Sequence, residues 1–161
     1  MQERLFMTAR LSRLAVPTGD LPVEVVEDAL LPELGVVMAS AYAGTTDDEG
    51  GSDSEALEEL NNASRGEYGE PIRNCWLVTR VDSILAGAVI CTRSEGRPLI
   101  AFVFTDLAFT GRGIARQLIL EIGGRLRAAG DHEVTLWVTA TNPAARIYKS
   151  LGFDIERSVT A

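Results

Sequence analysis

The chain has 161 residues, 46% of them hydrophobic, and a formal net charge of -8. That apolar content excludes a disordered chain, and the negative balance argues against DNA or RNA as partner because phosphates are repelled. No apolar run approaches the ~20 residues of a membrane-spanning helix, and Glu3, Arg4 and Arg10 interrupt the N-terminal apolar residues too often for a secretory leader, so a cytoplasmic protein is expected.

At this length a single domain over residues 1–161 is expected, with residues 1–20 as an N-terminal extension. Residues 23–27 (Val-Glu-Val-Val-Glu) are β-branched and predict a short strand. Leu34, Val37, Met38 and Ala41 recur at three and four, so a helix is expected over about 31–42. A polar loop follows, then a second helix over 54–63, with Ser54 as its N-cap and Glu55, Glu58 and Glu59 near its positive end. Strands are expected at 74–81 and 84–91, joined by a turn at Asp82-Ser83. Another turn at 94–98 leads into 99–105, which is apolar on both faces and so belongs inside a sheet. Ile114, Leu118, Ile122 and Leu126 step by four along a long helix over about 113–129, stopped at Gly130. A strand at 133–139, a short helix at 143–151 and a last strand at 153–159 complete the series. The order β-α-α-β-β-β-α-β-α-β implies a mixed α/β sheet flanked by helices, and the central antiparallel meander is incompatible with a doubly wound fold.

Charge is unevenly spread. Residues 1–80 hold 15 acidic and 6 basic side chains, residues 81–161 hold 8 and 9. The split suits a cationic substrate at the N-terminal half and an anionic cofactor at the other; solubility accounts for the total but not for the division. Cys75 and Cys91 lie in apolar strands and read as buried reduced thiols. With His132 the only histidine, no metal site is expected.

Gly111, Arg112, Gly113, Ile114, Ala115 and Arg116 stand where a buried strand ends and a long helix begins. Glycine lets main-chain N–H groups converge on an anion there, the helix dipole adds about half a positive charge, and two arginines suit a pyrophosphate. A dinucleotide fingerprint needs a small residue where Arg116 stands, and a P-loop needs Gly-Lys-Ser/Thr. A purely structural tight turn remains the alternative.

Thr110-Gly-Arg-Gly-Ile-Ala115 resembles the phosphate motif of the GNAT acetyltransferases, Gln/Arg-x-x-Gly-x-Gly/Ala, with Thr110 departing from the first position. Asn142-Pro-Ala-Ala145-Arg-Ile-Tyr148-Lys149-Ser-Leu-Gly-Phe153 is similar to a second and more specific pattern of that family, Asn-x-x-Ala-x-x-Leu/Ile-Tyr-x-x-x-Gly-Phe, and agrees at every position. The resemblance, to a single-domain bacterial member, is strong over 74–155. It implies a largely antiparallel sheet of six to seven strands with about four helices, and acetyl-CoA as acyl donor with no metal. It implies further that the amides of Arg112–Arg116 hold the pyrophosphate, and that Phe104, Thr105 and Asp106 pair with the pantetheine arm, an N–H near Phe104 or Thr105 serving the oxyanion. Asn142 would orient that arm or cap its helix, and Arg146 and Lys149 would approach the CoA phosphates or simply be solvated.

Tyr148 is the expected general acid toward the departing thiolate, its bland alternative being a packing aromatic. Residues 99–105 hold no carboxylate to act as base, so a water chain ending at Asp47, Asp48 and Glu49 is expected. The segment Ala41–Gly50 is similar to a signature of GNAT proteins without an assigned substrate, although a solvated acidic loop explains it as well. The resulting expectation is acetyl transfer to a primary amine, a small cation or a peptide amine. Its alternatives are a non-catalytic acyl-CoA-binding regulatory module or a donor such as propionyl-CoA. Relatives continue past Gly-Phe into a further strand, so the sheet here is shorter or its edge is closed by the N-terminus or a partner chain, and a homodimer is expected.

Overall fold

The structure, a computed structural model, describes residues 2–43 and 52–160. The elements in chain order are β1 (Glu3–Arg10), β2 (Glu24–Val25), α1 (Leu31–Tyr42), α2 (Asp53–Ser64), β3 (Glu70–Pro71), β4 (Leu77–Val81), β5 (Ile84–Ser94), β6 (Arg97–Thr105), α3 (Ile114–Ala128), β7 (Glu133–Thr139), α4 (Ala144–Leu151) and β8 (Asp154–Thr160). They build one eight-stranded sheet in the order β2-β4-β5-β6-β7-β1-β8, with β3 added beside β5. Every pairing is antiparallel except β6–β7. No helix among the described residues is long and apolar enough to cross a membrane.

The main departure from expectation lies at the N-terminus. Glu3–Arg10 is not an extension: it is an interior strand, antiparallel to both β7 and β8. Leu5, Met7 and Ala9 alternate into the core beneath α3 and α4, and Met7 is fully buried. Of the alternatives for the end of the sheet, the N-terminal segment supplies the further strand, but between β7 and β8 and not at the edge, which β8 forms, exposed along its whole length. The short β3 was not expected either, and the other elements fall within a few residues of expectation. The cap of α2 is Ser52, whose hydroxyl accepts from the Glu55 amide at 3.3 Å, rather than Ser54.

Two apolar cores sandwich the sheet. Leu34, Val37, Met38 and Leu60 of α1 and α2 pack with Trp76, Val78, Ile90 and Phe104 on one face. On the other, Ile114, Leu118, Ile122 and Leu126 of α3 pack with Met7, Val89, Leu136 and Phe153. Each such side chain contributes about 1.5–3 kcal/mol of burial. The two-residue loops Asp82-Ser83 and Glu95-Gly96 both have positive φ throughout, the type I′ geometry that matches strand twist and keeps the β4-β5-β6 meander in register. Cys75 and Cys91 are buried and free, and burial pushes the Cys75 thiol up to about 11 and that of Cys91 well above its ordinary value.

Candidate active site

The parallel pair β6–β7 is joined at only two positions, Leu99↔Thr135 and Ile100↔Leu136. Beyond them the strands separate, and the second half of β6 faces a gap in the sheet. Ladder alternation settles which groups face it. The Asp106 amide donates to the Ala86 carbonyl at 2.8 Å, so Phe104, opposite Ala88, is also bonded to β5. Val103 and Thr105, the intervening residues, turn their N–H and C=O groups toward the gap. Of the three residues expected to meet a pantetheine arm, Thr105 alone presents its main chain there; the Asp106 carboxylate accepts from the Ala108 amide at 2.9 Å.

α3 begins at the same end of the sheet as this gap. Gly113, its N-cap, has φ +73°, and Gly111 has φ +81°, both in the left-handed region that glycine occupies without penalty. A Cβ at either would meet nothing within 4 Å, so these glycines serve main-chain direction rather than packing. The first intrahelical bond runs from the Gln117 amide to the Gly113 carbonyl, which leaves the amides of Ile114, Ala115 and Arg116 without acceptors among the described residues. Arg112 and Arg116 are exposed beside this arc, and Arg112 stacks on Phe109 at 5.3 Å. Gly87 of β5 seats the helix: a Cβ there would stand 3.0 Å from Ile114 Cγ2 and 2.8 Å from the Phe104 carbonyl oxygen.

α4 carries the second motif, and much of that motif is local geometry. The Asn142 side-chain oxygen accepts from the Ala144 amide at 2.9 Å, so Asn142 caps the helix. At the other end Gly152 has φ +115°, its amide bonds Lys149, and the Phe153 amide reaches back to the Tyr148 carbonyl at 3.0 Å. This is a Schellman close, which explains the Gly-Phe pair: glycine supplies the left-handed turn, and Phe153 folds back to 6.1 Å from the Tyr148 ring. Tyr148 is buried in the same core as Ile114 and Val138, and Ala145 is buried beside it, whereas Arg146 and Lys149 are exposed.

Asp47, Asp48 and Glu49 lie outside the described residues. Tyr42, expected only as the end of a helix and as part of the Ala41–Gly50 segment, donates its hydroxyl to the Val103 carbonyl at 3.2 Å. Nothing local signalled that contact, because the two residues meet only once the sheet is formed. An open depression lined by Arg10, Leu11, Ser12, Arg127 and His132 sits at the opposite end of α3 and β7 and shares no residue with this site.

The family model of the acetyltransferase (GNAT) domain matches residues 71–155. No curated protein matches the chain. Among solved structures, a GCN5-related N-acetyltransferase from Sphaerobacter thermophilus superposes with a TM-score of 0.68 at 19% identity, covering 98% of this chain and 49% of that one. The chain therefore spans about half the length of that protein. The PaiA N-acetyltransferase of Thermoplasma acidophilum, in complex with coenzyme A, aligns over 85% of this chain and 91% of its own at 19% identity and a TM-score of 0.64. A GNAT family acetyltransferase from Brucella melitensis, in complex with acetyl-CoA, aligns over 79% and 80% at 19% identity and a TM-score of 0.59.

Proposed function

We propose that this chain, which belongs to the GNAT acetyltransferase family, transfers an acetyl group from acetyl-CoA to a primary amine. The observation that carries the reading is the coincidence, at one end of the sheet, of the gap between β6 and β7 with the arc of unbonded amides at the start of α3. The arc fits a pyrophosphate: its donors have no competing acceptor among the described residues, and the open space above Gly111 and Gly113 lets an anion approach the main chain. Arg112 and Arg116 would add charge to that contact. The Val103 and Thr105 main chains would take an extended amide-bearing arm as an added strand, and the coenzyme A of the Thermoplasma structure supports such an occupant.

Acetyl-CoA supplies the acyl thioester. The Thr105 N–H, aimed into the gap, would donate to the acyl oxygen as charge develops on it. The Tyr148 hydroxyl would give its proton to the leaving sulfur. Asp47, Asp48 and Glu49 remain the proposed acceptors of the amine's proton, through water. The second reading, a non-catalytic acyl-CoA-binding module, draws on the absence of any carboxylate in residues 99–105. Release of free CoA thiol across a panel of amines separates the two. Transfer predicts amine-dependent release that falls at least tenfold in Tyr148→Phe while CoA affinity stays within about twofold. CoA binding with no release on any amine leaves the module. The exposed edge β8 supports a homodimer, which sedimentation at micromolar concentration tests.

A further inference from the structure

We propose that Arg157, seated on the aromatic pair Phe6 and Trp137, binds a carboxylate carried by the acceptor amine, so that the preferred acceptor is amino-acid-like rather than a simple cation. The inference rests on the acetyl-transfer reading above and names the substrate class of the same site.

The starting point is position. α3 and α4 cover one face of the sheet around the gap, and the amide arc and Tyr148 are on that side. An acceptor must therefore approach from the other face. There Trp137 is the residue of β7 immediately after Leu136, the last one paired with β6, so it stands at the apex of the opening. Val134, Leu136 and Val138 point into the α3 core, which turns Trp137 to the open face, and Phe6, directly opposite it on β1, does the same. Their ring centroids are 4.8 Å apart. Arg157 faces Phe6 across the β1–β8 ladder, its guanidinium carbon 4.5 Å from the Phe6 centroid and 5.4 Å from that of Trp137.

The second point is charge. Arg97 also approaches Phe6, at 5.5 Å, but is neutralised: it binds Glu133 at 2.6 Å and takes both oxygens of Glu156 at 3.1 Å. The hydrogen bonds of Glu156, the carboxylate beside Arg157 in the chain, go to Arg97 and Thr8, and it attracts Arg157 only at longer range. Among the described residues Arg157 makes no ion pair, and neither does Arg4, one pleat further along the same face of β1 toward the chain ends that flank the gap. Both guanidiniums are exposed and lack a direct ion pair among the described residues, on the face from which an acceptor would approach. A guanidinium stacked on aromatic rings would keep its in-plane N–H fork for a carboxylate, which it can bind through two parallel hydrogen bonds. An alkylammonium alone finds no carboxylate in this cluster that is not already bonded to Arg97.

The test compares each of the twenty common L-amino acids with its carboxamide as acceptor, in wild type, Arg157→Gln and Arg4→Gln, by initial rate of CoA release and by calorimetric titration into the CoA-saturated protein. Expected is a KM for the best free acid at least tenfold below that of its amide, and a tenfold or greater rise in that KM in Arg157→Gln, with kcat within threefold, the amide unaffected and CoA affinity unchanged. A smaller rise is expected for Arg4→Gln. Equal KM values for acid and amide in wild type, or an equal effect of Arg157→Gln on both, would overturn the proposal. Calorimetry decides separately from turnover. Arg157-dependent binding of the acid without CoA release would leave the carboxylate site standing and defeat acetyl transfer, and release from amides with no calorimetric preference for the acid would do the reverse. Absence of any binding or release by a free acid would defeat the carboxylate site.

Discussion

The Tyr42 hydroxyl donates to the Val103 carbonyl at 3.2 Å, fastening the end of α1 to the stretch of β6 that has lost its strand neighbour. An unpaired edge in mid-sheet is a liability, and a side chain that occupies one of its acceptors limits how far the gap can spread. Tyr42→Phe keeps the ring near Phe104, 6.2 Å away between centroids, and removes only the hydroxyl. The expected cost is about 0.5–1.5 kcal/mol, read as a lower urea midpoint at unchanged m-value. A midpoint equal to wild type would mean that water replaces the hydroxyl at no cost.

Gly113 and Gly124 lie ten or so residues apart around α3 and should respond to alanine with opposite signs. Neither would place a Cβ within 4 Å of another atom, so packing does not separate them. Gly113 has φ +73°, where a Cβ costs about 1–2 kcal/mol. Gly124 sits inside the helix, where alanine is favoured by about 0.8–1 kcal/mol. Gly113→Ala should therefore lower stability and weaken CoA binding as the amides are re-aimed, while Gly124→Ala should raise stability and leave CoA binding alone. Chemical denaturation with a parallel CoA titration measures both, and equal CoA affinity in the two variants would remove the arc from the binding site.

The two motifs were legible because their geometry is local. Gly113 at a helix N-cap, Asn142 capping α4 and Gly152-Phe153 closing it are set by residues within a few positions of one another. The gap is not of that kind. It arises because β6 and β7, some 36 residues apart, share only two paired positions, and no spacing in either strand announces where pairing stops. The contacts of Tyr42 and Arg157 escaped notice for the same reason, as their partners are strands distant in the chain. β1 escaped for another: Leu5, Met7 and Ala9 are helix-favouring types, and their period of two is blurred by Phe6 on the opposite face. The acidic-pocket expectation drew on charge counts by segment. Asp47, Asp48 and Glu49 lie outside the described residues, whereas the stacking of Arg157 on Phe6 and Trp137 is a contact that only tertiary pairing makes visible.

Met7 tests the place of β1 directly. It is fully buried between β7 and β8, opposite Leu136 and Ile155. Met7→Ala should cost about 2–5 kcal/mol, as core truncations do. A loss below about 0.5 kcal/mol by urea unfolding is what a dispensable N-terminal extension would give, and it would contradict the interior strand.

Glu156 ties the outer strand to the meander through Arg97, and its contribution should fade in acid. The Arg97 guanidinium, by hydrogen bonding first, holds the Glu156 carboxyl below its ordinary value of 4.5. A depressed folded value means that the unfolded chain takes up the proton first. The stabilisation is therefore complete above about 4.5 and is lost as pH falls through the lower folded value. Because the Glu156 side chain is 40% exposed, solvent screening holds the effect to about 1 kcal/mol or less. Glu156→Gln should accordingly unfold at lower urea than wild type at pH 7 and at pH 5, and the two curves should converge as pH is lowered toward 3. High salt should narrow the gap at pH 7 as well. A difference that stays constant from pH 7 to pH 3 would assign the contribution of Glu156 to packing on the β1–β8 edge instead of to its charge.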